Sequence, residues 1–122
     1  MPAMKELYCL IVETAQEGIW VIDDKANTTF VNQKMAEMLG YTVDEMVGSH
    51  VFEFMDEEQH ALVPVRLQRR KEGIKEQYEF KLRRKDGSDQ LVLVSANPLY
   101  DTNGKYMGAL GMVADITERK QL

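Results

Sequence analysis

The chain has a single cysteine, Cys9, in 122 residues. One thiol excludes an intramolecular disulfide framework and any metal site built from several cysteines, and it suits a reducing compartment. Positive charge is in deficit: 15 Lys and Arg stand against 20 Asp and Glu, a formal net charge of −5. No chain-wide basic field exists to attract phosphate backbones, so nucleic acid is not an expected partner. No apolar run approaches the roughly eighteen residues of a membrane-spanning helix, so direct membrane insertion is not expected. The first residues, Met1 to Glu6, lack the basic-then-apolar pattern of a secretory signal, and a cytoplasmic location is expected. No nucleophile elbow, phosphate loop, metal triad or paired catalytic carboxylate occurs at a usable spacing, and no catalysis is expected of this unit.

What is present suffices for one domain with a core of its own. From Glu6 to Gln16 the apolar residues Leu7, Tyr8, Leu10, Ile11, Val12 and Ala15 leave only a narrow polar stripe. That pattern predicts a leading helix, within 1–17, that is covered on more than one side. Gly18 breaks it, and the runs Ile19 to Ile22 and Thr28 to Val31, separated by Asp23-Asp24-Lys25-Ala26-Asn27, read as a β-hairpin. Asn32 suits the N-cap of a helix through Leu39, with Gly40 as its left-handed C-cap. Thr42 and Glu45 have the spacing of a capping box for a short turn closed by Gly48. Asp56-Glu57-Glu58 opens the longest helical pattern, to Glu72, and Pro64 inside it predicts a kink or a late start. Leu62, Val63, Val65 and Leu67 mark its buried side; Arg66, Arg69, Arg70 and Lys71 read as its solvated side.

After Gly73 the period changes to two. Tyr78, Phe80 and Leu82 alternate with Gln77, Glu79, Lys81 and Arg83, which predicts a strand with one dry face. Asp86-Gly87 and Asn103-Gly104 predict hairpin turns with positive φ at both central residues, so three strands form an antiparallel meander, the middle one ending at Pro98. Its last two strands are apolar on both faces: Leu91 and Leu93 alternate with Val92, Val94 and Ala96, and Leu110 and Met112 with Ala109, Gly111 and Val113. A sheet covered on both sides is expected, with helices on one face and the leading helix or a second copy on the other.

Specific residues give this order of elements a family likeness. They are Gly18-Ile19-Trp20-Val21-Ile22-Asp23, Phe30-Val31-Asn32, Leu39-Gly40-Tyr41, Glu45-Met46-Val47-Gly48, Tyr78-Glu79-Phe80, Arg83-Arg84-Lys85-Asp86-Gly87 and Asp115-Ile116-Thr117-Glu118-Arg119. From about Gly18 onward the chain resembles a PAS domain. The resemblance implies an α+β fold: a five-stranded antiparallel sheet ordered 2-1-5-4-3, helices over one face, and a cavity between the two. It also implies a sensory module beside an output module such as a histidine kinase, working as a homodimer through the leading helix and outer sheet face. On this division 1–17 is a flanking helix, 18–117 the PAS core and 118–122 the start of an output helix, as in a piece of a longer protein.

Strand parity places Tyr78, Phe80, Leu82, Val92, Val94, Ala96, Ala109, Gly111 and Val113 on the cavity side, with Met38, Leu39, Phe52, Phe54, Leu62, Val63 and Leu67 closing it. Small Ala96, Ala109 and Gly111 leave room for a small apolar ligand, with Tyr78 as its polar handle, or for methionine to fill the gap. Asp115 and Thr117 are the expected transmission point, Thr117 by N-capping the exit helix. Glu45 and Lys85 resemble the family's ion pair between the helical segment and the meander turn. His60 lies near the position of the proximal histidine in haem-binding relatives, but Asp56 to Gln59 beside it look solvated, and a surface histidine is the reading adopted. The segment Gly48-Ser49-His50-Val51-Phe52-Glu53 lacks the cysteine of flavin photoreceptors, and Trp20 reads as core. No cofactor is expected; a haem- or flavin-loaded sensor and a ligand-free dimerisation module stay open as alternatives.

Overall fold

The computed structural model describes residues 16–117. The expected leading helix lies outside them except for Gln16 and Glu17, which form a bend, and the exit helix from 118 lies outside them too. The elements run β1 (Gly18–Asp23), β2 (Thr28–Val31), α1 (Gln33–Leu39), α2 (Val43–Met46), a 3₁₀ turn (Val51–Phe54), α3 (Glu57–His60), α4 (Val63–Lys71), β3 (Glu76–Arg83), β4 (Asp89–Tyr100) and β5 (Tyr106–Asp115). The five strands form one sheet in the order β2-β1-β5-β4-β3, every neighbouring pair antiparallel.

Local chemistry explains where the elements begin and end. Asn32 Oδ1 caps α1 by accepting from Met35 N at 3.0 Å and also accepts from Ile19 N at 2.9 Å, so one buried side chain ties the helix start to β1. Gly40, at φ 80°, closes the helix in the left-handed conformation, with its amide on Ala36 O and Glu37 O. The capping box of α2 is complete: Glu45 N donates to Thr42 Oγ1 and Thr42 N to Glu45 Oε1. Pro64 has the effect expected of it. The pattern from Asp56 divides, with α3 stopping at His60 and α4 starting at Val63 with the proline in its first turn.

Three details correct the sequence expectations. The strand β4 does not stop at Pro98 but pairs it with Ala109 and continues to Tyr100. Its neighbour β3 ends opposite Ala96, so beyond that point β4 is an edge on the β3 side, where proline is tolerated. The Asp86-Gly87 and Asn103-Gly104 turns have positive φ at the glycine alone. All three hairpins instead close three-residue loops, with amide-to-carbonyl bonds Asp23 to Asn27, Arg84 to Ser88 and Asp101 to Lys105. The left-handed residues are Ala26, Gly87 and Gly104. Val65 is 60% exposed, because the face of α4 that meets the sheet carries Val63 and Leu67 instead.

The core lies between the helices and the inner sheet face, around Trp20, Met35, Leu39, Met46, Phe54, Val92 and Val113. Phe54 meets Trp20 and Tyr41 edge-on, with ring centroids 5.3 Å and 5.2 Å away. Such pairs add about 0.5–1.5 kcal/mol each beyond the area they bury.

Candidate ligand cavity

Between α4 and the inner face of β1, β3, β4 and β5 lies a cavity of about 110 Å³. The sheet contributes Trp20, Ile22, Tyr78, Phe80, Leu82, Val94, Ala96, Ala109, Leu110, Gly111 and Val113; Val63, Arg66, Leu67 and Arg70 come from α4, and Val51 and Met55 complete the lining. Cross-strand register groups the small residues, since Ala96 pairs with Gly111 and Gly111 with Trp20.

Of the residues placed on the cavity side by parity, all but Val92 line it; Val92 is wholly buried in the core. Of those expected to close it, Val63 and Leu67 do so, whereas Met38, Leu39, Phe52, Phe54 and Leu62 do not. Leu39 and Phe54 pack in the core around α1. Leu62 precedes the first turn of α4 and is 45% exposed.

The arginines depart furthest from the sequence reading. Arg70, assigned to the solvated side, is 2% exposed and lines the cavity. Its Nε donates to Arg66 O, its Nη1 to Ile74 O at 2.6 Å and Ala96 O at 3.1 Å, and its Nη2 to Glu76 Oε1. Arg66 and Arg69 reach the same carboxylate, at 3.3 Å and 2.9 Å. Burial pushes the Glu76 carboxyl up, but the Arg69 hydrogen bond and the charges of Arg70, Arg69 and Arg66 outweigh it and hold the group below the usual glutamate range. The Arg66 guanidinium lies 3.9 Å over the Tyr78 ring. Burial raises the Tyr78 phenol, against the opposing charges of Arg70 and Arg66. A sequence signal for Arg70 exists: it stands three residues after Leu67 and seven after Val63, on the same helical face.

At the far end of the sheet Gln90, 1% exposed, joins the start of β4 to the end of β5. Its Nε2 donates to Asp115 Oδ1 at 2.8 Å and Thr117 Oγ1 at 3.1 Å, while Arg84 donates to its Oε1. Just after the strand Ile116 N donates to Leu91 O at 3.2 Å, and the next amide, Thr117 N, donates to Asp115 Oδ1 at 2.9 Å. Asp115 thus meets the Thr117 amide and Gln90 the Thr117 hydroxyl, while the N-cap expected of Thr117 concerns a helix from 118 that lies outside the described residues. On the opposite side Lys85 Nζ donates to Glu45 Oε2 at 2.6 Å, joining α2 to the β3–β4 turn.

The residues present do not fit haem or flavin. His60 does not line the cavity. Its ring stacks on Phe52 at 4.3 Å, and its Nε2 lies 3.0 Å from Phe52 O and 3.2 Å from Met55 O, where it acts as a donor and not as an iron ligand. The space is also well below the roughly 300–1,000 Å³ of pockets that hold drug-sized molecules. Among the described residues no cluster of three His, Cys, Asp or Glu is placed to hold a metal.

The family model for the PAS fold matches residues 6–116. The chain belongs to the PAS family. This PAS domain is 26% identical over 111 residues to sporulation kinase C of Bacillus subtilis, covering 91% of the chain and 26% of the kinase. It is 28% identical over 115 residues to the signal transduction histidine-protein kinase AtoS of Escherichia coli, covering 92% of the chain and 18% of the kinase. The chain thus spans about a quarter or less of the length of these relatives. A solved PAS domain from Colwellia psychrerythraea superposes with a TM-score of 0.83 at 23% identity, over 96% of this chain and 100% of the other, and it shows the same fold. Sequence and structure together make the chain a PAS sensory domain related to those of histidine kinases, not catalytic in itself. No helix among the described residues is long and apolar enough to cross a membrane.

Proposed function

We propose that this PAS domain senses a small ligand in the cavity beneath α4 and passes the change to an output module through the end of β5, most simply the kinase of a two-component system. The observation that carries the reading is the cavity itself, an apolar space between α4 and the sheet with Arg66 and Arg70 on its α4 wall. The route outward is short: Arg70, on the cavity wall, bonds Ala96 O of β4, and β4 pairs with β5 along Val92 to Tyr100. Gln90 then ties β4 to Asp115 and Thr117. A cytoplasmic location goes with this reading and is supported by the single cysteine.

Ligand-observed NMR with a library of small molecules tests it, with hits mapped on the amides of Val94, Ala96 and Gly111 and hydrogen exchange read at 115–117. Hits in the cavity that slow or speed exchange at 115–117 are expected. Hits that map elsewhere, or leave that exchange unchanged, contradict the route.

A second reading, assembly as a homodimer, has its own observation. The outer sheet face carries the half-buried Val21, Leu93 and Met112 of β1, β4 and β5, and Phe30, paired with Val21, is 37% exposed. Sedimentation of the chain and of a Leu93→Lys variant checks it: a dimer that dissociates supports the reading, and an unchanged oligomeric state in a folded variant opposes it.

A further inference from the structure

The wall of the cavity formed by α4 carries more positive charge than it neutralises. Arg66, Arg69 and Arg70 converge on one carboxylate, Glu76, so that among the described residues their ion pairs balance one of three positive charges. Arg66 and Arg70 line the cavity. Arg70 is occupied, with Nε, Nη1 and Nη2 all donating. Arg66 is not: its Nη1 reaches Glu76 at 3.3 Å, and among the described residues nothing accepts from its Nε or Nη2. Its side chain is 33% exposed and rests on the Tyr78 ring, so it can turn without disturbing the core. Tyr78, on β3 with its ring beneath the Arg66 guanidinium, has no hydrogen-bond partner for its hydroxyl among the described residues. Opposite stand the small, apolar Ala96 and Gly111.

Resting on the reading of the cavity as a ligand site, we propose that its ligand is a small apolar carboxylate: a single ring or a short branched alkyl group bearing one anionic head. The apolar part sits against Ala96 and Gly111, and the carboxylate takes the free fork of Arg66 and the Tyr78 hydroxyl. Size limits the apolar part: at about 110 Å³ the cavity is smaller than one of about 150 Å³ that holds benzene in another protein, so a short branched alkyl group fits it best and a ring fills it only with its carboxylate outside, at the partly exposed Arg66. Charge decides the head group. A cation meets the unbalanced guanidinium charges, and a neutral molecule leaves donors unused that a planar carboxylate matches in geometry and sign.

Trp20 is the only tryptophan and lines the cavity, so its fluorescence reports occupancy. The test titrates the 122-residue chain with two matched pairs, benzoate against benzamide and isobutyrate against isobutyramide, with amide shifts of Ala96 and Gly111 confirming location. In at least one pair the acid is expected to bind about tenfold or more tightly than the amide, as a charge-assisted hydrogen bond implies. Arg66→Gln, checked for fold by circular dichroism, is expected to remove that preference and leave amide binding unchanged. Equal binding of acid and amide overturns the anion class and leaves the cavity reading standing. A preference that survives Arg66→Gln overturns the role given to that side chain. No response of Trp20, Ala96 or Gly111 to any of the four overturns both readings.

Discussion

Gly108 and Gly111 lie on the same strand, and their surroundings give them opposite tolerances. A Cβ on Gly108, at φ 148°, would collide with Ile22 O and press on Asp23 Cα of the paired strand, so β1 and β5 would have to separate. At Gly111 the same atom would find ordinary contacts of 3.6 Å to Trp20 O and Val94 Cγ1. Gly108→Ala is therefore expected to destabilise the domain by about 1–3 kcal/mol or more, whereas Gly111→Ala keeps wild-type stability within about 0.5 kcal/mol and narrows the cavity. Urea midpoints of the two variants check this, and equal losses would contradict it. At this scale the sequence was informative about small residues and uninformative about arginine. Alternation alone put Ala96, Ala109 and Gly111 on the cavity side. Arg70 was read by its charge, yet backbone carbonyls and Glu76 meet its donors and make burial possible.

Elements differ in how far the chain announces them. The strands, the caps at Asn32 and Thr42, and the break at Pro64 depend on neighbours a few residues apart, and those are visible in the sequence. Which helix covers which part of the sheet depends on packing between distant segments. For that reason Leu39 and Phe54 joined the core near α1 while Val51 and Met55 took places at the cavity. The junction of β4 with the end of β5 is another such case: nothing local marks Gln90 as the partner of Asp115 and Thr117. Burial raises the Asp115 carboxyl, but Thr117 and Gln90 hydrogen bonds outweigh it and hold the group below its usual range. Gln90→Ala removes the bonds to both residues. Hydrogen exchange at 115–117 is expected to speed up by about tenfold, the loss of roughly one net hydrogen bond, with cavity binding unaltered. Unchanged exchange there would show that the junction is held by other contacts.

For the whole molecule, the ion clusters set the response to acid. The folded-state carboxyl groups of Glu76 and Asp115 are held below their ordinary values of 4.5 and 3.8. A lowered carboxyl contributes stability that is fully present above the unfolded value and is lost as pH falls through the folded one. Denaturation midpoints should therefore be insensitive to these groups at neutral pH and decline below about pH 4.5, and Glu76→Gln should flatten the upper part of that decline. A variant as steep as the wild type would remove Glu76 from the account.

The cavity unites all three scales, and filling it is the most direct test of its role. Ala96→Leu places a larger apolar side chain in the space between α4 and β5. Trp20 fluorescence of the wild-type chain, titrated with isobutyrate, is predicted to change saturably, while the folded Ala96→Leu chain gives no saturable change. An equal saturable response in both would contradict a ligand site beneath α4.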